Sequence, residues 1–149
     1  LFNPKMFKQL LKPLKQNSKI LCTNLMSEID SEEEFMNVNV VKVVCKLNGD
    51  AMCFSREPIP SLRKTKADGF KVYKQLGIYA YRKDFINWFG KTQTTPLERT
   101  ETIDLLRPLE HGKPVRMILT SLQTIGVDTP ADLEHAERLM KDDPLFGTY

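Results

Sequence analysis

Alternating helical and strand patterns along 149 residues predict an α/β fold, with helices packed on a mainly parallel sheet and a hairpin projecting from it. Apolar residues recur at helical spacing near both ends, through Met6, Phe7, Leu10, Leu11 and Leu14 and again through Leu133, Ala136 and Met140. Between them lie short apolar or β-branched runs bounded by turn residues, the mark of buried strands. Asn48-Gly49 joins two such runs and supplies the clearest hairpin signal in the chain.

Asn3 as cap and Pro4 in the first turn open the first amphipathic helix, which is expected to fray near Pro13. The run from Lys19 to Met26 suits a buried strand. Ser31 to Phe35 reads as a short acidic helix, with Ser31 as cap and Glu34 completing a capping box. Val38 to Leu47, the Asn48-Gly49 turn and Ala51 to Ser55 form the hairpin. A basic loop with Arg63, Lys64 and Lys66 follows, then a strand within Phe70 to Arg82 covered on both faces. Asp84 to Phe89 is a short helix stopped by Gly90. Thr95 and Pro96 begin a longer helix through Leu97, Ile103, Leu106 and Leu109, kinked at Pro108 and closed by Gly112. Val115 to Leu119 is a strand, and Thr129-Pro130 starts a last helix whose buried face is Leu133, Ala136 and Met140.

Composition narrows the function classes. The chain is 41% hydrophobic and 28% charged, with a formal net charge of +3. That mixed balance argues against nucleic acid as the main partner. No apolar run is long enough to span a bilayer, and the opening Leu1-Phe2-Asn3-Pro4-Lys5 has no signal-peptide core. The odd number of cysteines, Cys22, Cys45 and Cys53, reads as reduced and cytoplasmic. Cys45 and Cys53 are expected to face each other across the hairpin.

Some segments carry polar residues without an obvious structural reason. In Phe54-Ser55-Arg56-Glu57-Pro58 the arginine ends a strand and offers either a rigid fork for a carboxylate or phosphate, or a surface salt bridge. In Lys74-Gln75-Leu76-Gly77-Ile78-Tyr79, Gly77 inside a strand suggests that a backbone or ligand comes close, while Tyr79 serves as a ligand-facing hydroxyl or a core aromatic. In Thr95-Pro96-Leu97-Glu98, Glu98 is placed to leave the helix start toward a polyhydroxylated ligand, whereas Glu101 is explained by the helix dipole alone. In Gly126-Val127-Asp128-Thr129-Pro130, Asp128 lies between a strand end and a helix start. There it serves as a helix cap, or as a Mg²⁺ ligand with a partner carboxylate from elsewhere.

Together with Val41-Lys42-Val43-Val44 and Ile59-Pro60, these segments in this order resemble the CMP-ketodeoxyoctulosonate synthetases. These are the 3-deoxy-manno-octulosonate cytidylyltransferases of the sugar nucleotidyltransferase superfamily. The similarity runs from Leu1 to about Met140. It implies a Rossmann-like mixed sheet of the nucleotide-diphospho-sugar transferase type. It also implies a Mg²⁺-dependent transfer of CMP from CTP to an acid sugar, used in lipopolysaccharide biosynthesis by a cytoplasmic homodimer. By the same resemblance Asp128 is a metal ligand and Arg56, Gln75, Tyr79 and Glu98 bind the sugar acid, Arg56 at its carboxylate and Glu98 at its hydroxyls. Gln75 stands where the family usually has a histidine, so another acid acceptor remains open.

The resemblance matches only the carboxyl-terminal portion of the family, so residues 1–149 are expected to hold the sugar-acid pocket, one metal ligand and dimer-forming elements, in an incomplete fold without the triphosphate-binding segment. The alternative is a non-catalytic binding or interaction domain sharing the fold, with the Arg63-Lys64-Lys66 loop as its contact surface.

Overall fold

A computed structural model describes residues 3–62, 71–122, 124, 127 and 130–141, the last helix without the side chains of Ala131 and Asp132. The order is α1 (Lys5–Gln16), β1 (Cys22–Glu28), α2 (Glu32–Met36), β2 (Lys42–Cys45), β3 (Ala51–Ser55), β4 (Tyr73–Tyr81), α3 (Lys83–Lys91), α4 (Pro96–Glu101), α5 (Leu106–Glu110), β5 (Arg116–Leu119) and α6 (Pro130–Lys141). The strands form one mixed sheet in the order β3-β2-β4-β1-β5. Among the described residues only β1 and β5 pair in parallel, and every other strand pairing is antiparallel. This corrects the expectation of a mainly parallel sheet. The Asn48-Gly49 turn is too short for a crossover, and β4 inserts antiparallel between β1 and β2.

The hairpin departs from the rest of the sheet. β2 pairs with β4 only through Lys42 opposite Lys74 and Val43 opposite Tyr73. Beyond them the tip curls back to β5, where the Ala51 amide donates to the Val115 carbonyl at 2.8 Å and the Met117 amide to the Gly49 carbonyl at 2.9 Å. Gly49 has φ +87°, the left-handed conformation that the turn requires. A register shift after Val44 sets Cys45 opposite Ala51 and Cys53 opposite Val44, so the two cysteines do not face each other. All three cysteines are free thiols.

Each face of the sheet has its own core. On one, Met6 and Leu10 of α1 pack with Leu25 and Leu76. Burial of such side chains contributes roughly 1.5–3 kcal/mol each, which explains why α1 continues through Pro13 to Gln16 instead of fraying: Leu14, beyond the proline, is also buried. On the other, Cys22, Val43, Phe54, Phe85, Leu105, Leu106 and Met117 are among the residues that form the larger core.

Three helix boundaries differ from expectation. Gly90 does not stop α3, because Trp88 and Phe89 pack on the core and the helix closes one residue later, with the Thr92 amide on the Phe89 carbonyl. The helix expected from Pro96 to Gly112 breaks at Thr102, not Pro108. Pro108 lies in the first turn of α5, where its missing N–H is not needed. Ile103, Leu105 and Leu106 are all buried, a spacing that one helix cannot present to one core. On α6 only Ala136 of the expected trio is buried, and Leu133 is exposed. In α2, Ser31 caps the Glu34 amide as expected, while the Glu34 carboxylate takes the Lys74 ammonium.

Candidate functional site

Arg56 follows β3 and is fixed from several directions. Its amide donates to Glu101 Oε2 at 2.8 Å, and its carbonyl accepts from Lys42 Nζ at 2.6 Å. Its Nε donates to the Glu101 carbonyl at 2.8 Å and Thr102 Oγ1 at 3.0 Å, Nη1 to the Val38 carbonyl at 3.1 Å, and Nη2 to the Thr102 carbonyl at 3.4 Å. All the acceptors of the guanidinium itself are neutral. Among the described residues no carboxylate pairs with the guanidinium, and each terminal nitrogen keeps an N–H to offer. The surface salt bridge is thereby set aside in favour of the rigid fork.

Gln75 and Tyr79 come together through a bulge. Asn24 of β1 is opposite Tyr79 while Met26 is opposite Gln75, so β4 carries two extra residues over this step. Residues four apart on a regular strand lie about 13 Å apart, yet here Gln75 Nε2 donates to the Tyr79 hydroxyl at 3.0 Å. The fully buried Asn24 stabilises the bulge, its Nδ2 donating to the Leu76 carbonyl at 2.7 Å and the Ile78 carbonyl at 3.0 Å. Gly77 lies in this bulge, and close packing does not require it there: a Cβ would meet no described protein atom within 4 Å. Tyr79 is half-buried against the larger core, and burial, with the Asp104 charge adding to it, raises its hydroxyl above the usual phenol range.

Glu98 is placed otherwise than the sequence suggested. It is 5% exposed, and its carboxylate closes a capping box with the Thr95 amide while taking Arg107 through both oxygens. Arg107 also donates to the Phe89 and Thr92 carbonyls and stacks over the Phe89 ring, 4.0 Å from its centroid. Hydrogen bonds from Arg107 hold the Glu98 carboxyl below its ordinary value. Glu98 therefore points into the α4–α5 packing and not off the helix start.

The junction between α4 and α5 links the two groups that remain. Glu101 and Thr102 hold Arg56, and the charge of Asp104, two residues on, adds to burial in opposing ionisation of the Tyr79 and Tyr81 phenols. Three participants were missed from sequence: Glu101, which was assigned only to the helix dipole; Asp104; and Lys42, whose position inside Val40-Val41-Lys42-Val43-Val44 was a signal, since a lysine in an apolar strand must bury its charge. Asp128, Gly126 and the Arg63-Lys64-Lys66 loop lie outside the described residues. Among the described residues no cluster of three His, Cys, Asp or Glu could hold a metal, and no helix is long and apolar enough to cross a membrane. Among the described residues one open cavity of about 670 Å³ lies beside Gln9, Ser27, Lys74, Leu76 and Thr120, and another of about 820 Å³ beside Phe35, Met36, Glu57, Pro58 and Leu62.

The mixed five-stranded sheet, with a separate apolar core on each face, is an α/β architecture, and its likeness to a solved structure assigns it to the nucleotide-diphospho-sugar transferase type. A solved structure of CMP:2-keto-3-deoxy-manno-octonic acid synthetase complexed with CTP superposes with a TM-score of 0.85 at 31% identity, over 94% of this chain and 57% of that one. The chain belongs to the cytidylyltransferase family, whose model matches residues 1–118. Its curated relatives include the 3-deoxy-manno-octulosonate cytidylyltransferases of Geobacter metallireducens, 41% identical over 143 residues that make up 90% of this chain and 56% of the relative, and of Geotalea uraniireducens, 38% identical over 151 residues, with 95% and 60% covered. The chain thus spans less than two thirds of the length of these relatives.

Proposed function

We propose that the chain serves a cytidylyltransferase that joins CMP from CTP to a 3-deoxy-2-ulosonic acid sugar. The anomeric hydroxyl oxygen of the sugar bonds to the α-phosphorus of CTP, the bond from that phosphorus to the bridging oxygen breaks, pyrophosphate leaves, and the hydroxyl proton passes to solvent. Because both reactants are anions, fixed cations and exact placement lower the barrier more than any covalent step by the protein.

The observation that carries this reading is Arg56, whose guanidinium is anchored on neutral oxygens and keeps N–H groups for a carboxylate. Gln75 and Tyr79, paired across the bulge, are the hydroxyl-facing groups, with Asp104 as a further acceptor. Glu98 supports the junction that carries Glu101 and Asp104 instead of touching the sugar. The relatives and the family match support the nucleotide donor. Mg²⁺ at Asp128 would offset phosphate charge; this assignment, a homodimer and a cytoplasmic location rest on the resemblance.

Calorimetric titration of the chain with 3-deoxy-manno-octulosonate tests the reading. A saturable heat that Arg56→Ala removes is expected. No response to the acid, together with oligonucleotide binding that salt steeply weakens, would overturn it.

A further inference from the structure

Lys42 is fully buried, and although the charges of Glu57 and Glu101 act on it, among the described residues no carboxylate lies within ion-pair distance of its ammonium. Buried charges are as a rule paired, because desolvation otherwise costs several kcal/mol. Here Nζ donates to the Asn37 carbonyl at 2.7 Å and to the Arg56 carbonyl at 2.6 Å. These acceptors are not arbitrary. One belongs to Arg56 itself, and the other precedes Val38, whose carbonyl receives Arg56 Nη1. Lys42 therefore ties the arginine's main chain to the loop on which its side chain rests.

Glu101 completes the arrangement from the opposite side, accepting from Ser55 Oγ at 2.9 Å and from the Arg56 amide at 2.8 Å. A carboxylate grips the N–H of Arg56 and an ammonium grips its C=O, and no bond joins the two charges among the described residues. Were the sole purpose to close the β2–β3 end, a neutral donor would do so without desolvating a cation.

We propose that Lys42 is a positioning residue for recognition of an anionic carboxylate. It fixes Arg56 and the Val38 loop in the receiving geometry and adds a second, water-excluded positive charge behind the guanidinium. The proposal rests on the reading of Arg56 as the carboxylate site. It assigns Lys42 an effect on the charge of the ligand and not only on the fold.

The test compares 3-deoxy-manno-octulosonate with its neutral methyl ester, by calorimetry on the full chain and on Lys42→Met, which keeps the length of the side chain and removes the charge. Affinity for the acid is expected to fall about tenfold, the scale of a charged hydrogen-bond network, while affinity for the ester changes less than about twofold. Equal losses for both ligands, or no loss for either, would overturn the proposal. If the unsubstituted chain binds neither acid nor ester, it is the Arg56 reading that fails. Should Lys42→Met not fold, Lys42→Arg carries the test: it keeps the charge but replaces one nitrogen on two carbonyls with a planar fork. A partial loss confined to the acid is then expected, and a loss shared equally with the ester, or no loss at all, overturns the proposal.

Discussion

Arg56 holds Thr102 in a left-handed backbone conformation. Thr102 has φ +56°, unusual for a β-branched residue, and Arg56 binds its Oγ1 and its carbonyl as well as the carbonyl of Glu101 before it. Such a conformation costs about 1–3 kcal/mol and persists only where the surroundings over-determine it. The candidate carboxylate fork is thus bound to the residue at which the helix expected from Pro96 to Gly112 breaks.

Removing that side chain should loosen the junction as well as the site. Arg56→Ala is expected to lower unfolding free energy by about 2 kcal/mol, from the several bonds lost, and to raise amide exchange at Ile103 and Leu105. Arg56→Lys is expected not to rescue acid binding, since a point ammonium cannot reproduce the fork. Unchanged exchange at those amides would contradict the clamp.

The Glu98–Arg107 pair makes a pH prediction. The folded carboxyl titrates below its ordinary value of 4.5, with the Arg107 hydrogen bond as the largest cause. Its contribution to stability is therefore fully present above pH 4.5 and is lost as pH falls through the lower folded value. Glu98→Gln is expected to cost on the order of 3 kcal/mol at neutral pH by leaving Arg107 unpaired in the packing, and to flatten the decline in stability below pH 4.5. Urea denaturation at several pH values reads both effects, and an unchanged acid limb would count against the pair.

What was legible in the sequence was local. The stripe of Met6, Leu10 and Leu14, the Asn48-Gly49 turn and the Ser31 cap each depend on neighbours a few residues away, and each is found in the structure. What was not legible depends on distant partners. Glu98 is nine residues from Arg107, outside the spacing that a helix makes visible, and Thr102 is 46 residues from Arg56. The bulge that joins Gln75 to Tyr79 is set by Asn24 on another strand. The fork at Arg56 was half legible: its place at a strand end was visible in the sequence, but the grip comes from Lys42 and Glu101.

Gln75 gives a prediction about specificity. Glutamine cannot become cationic, so its contribution to acid binding should be flat between pH 5.5 and 7.5, roughly the range in which histidine titrates. Gln75→His is expected to keep contact with Tyr79 and to strengthen acid binding by up to about tenfold as pH falls through about 6.5, where the ring gains its charge. Titrations at both ends of that range check it, and a pH-independent affinity in the variant would separate Gln75 from the ligand.

The thiols report on the core. Burial pushes Cys22 up to about 12 and Cys45 up to about 11. In the folded chain at pH 8 both are expected to resist alkylation, with the half-buried Cys53 reacting first and all three reacting in urea. Rapid native labelling of Cys22 would contradict its burial at the start of β1, in the larger core.

The most direct measurement of the central claim is a ¹H–¹⁵N titration of the chain with 3-deoxy-manno-octulosonate. The account predicts saturable shifts concentrated at the amides of Val38, Arg56 and Thr102, with smaller ones at Tyr79 and Asp104, all absent in Arg56→Ala. Shifts confined to the cavity beside Gln9, Ser27 and Thr120, or no shifts at saturating acid, would contradict it.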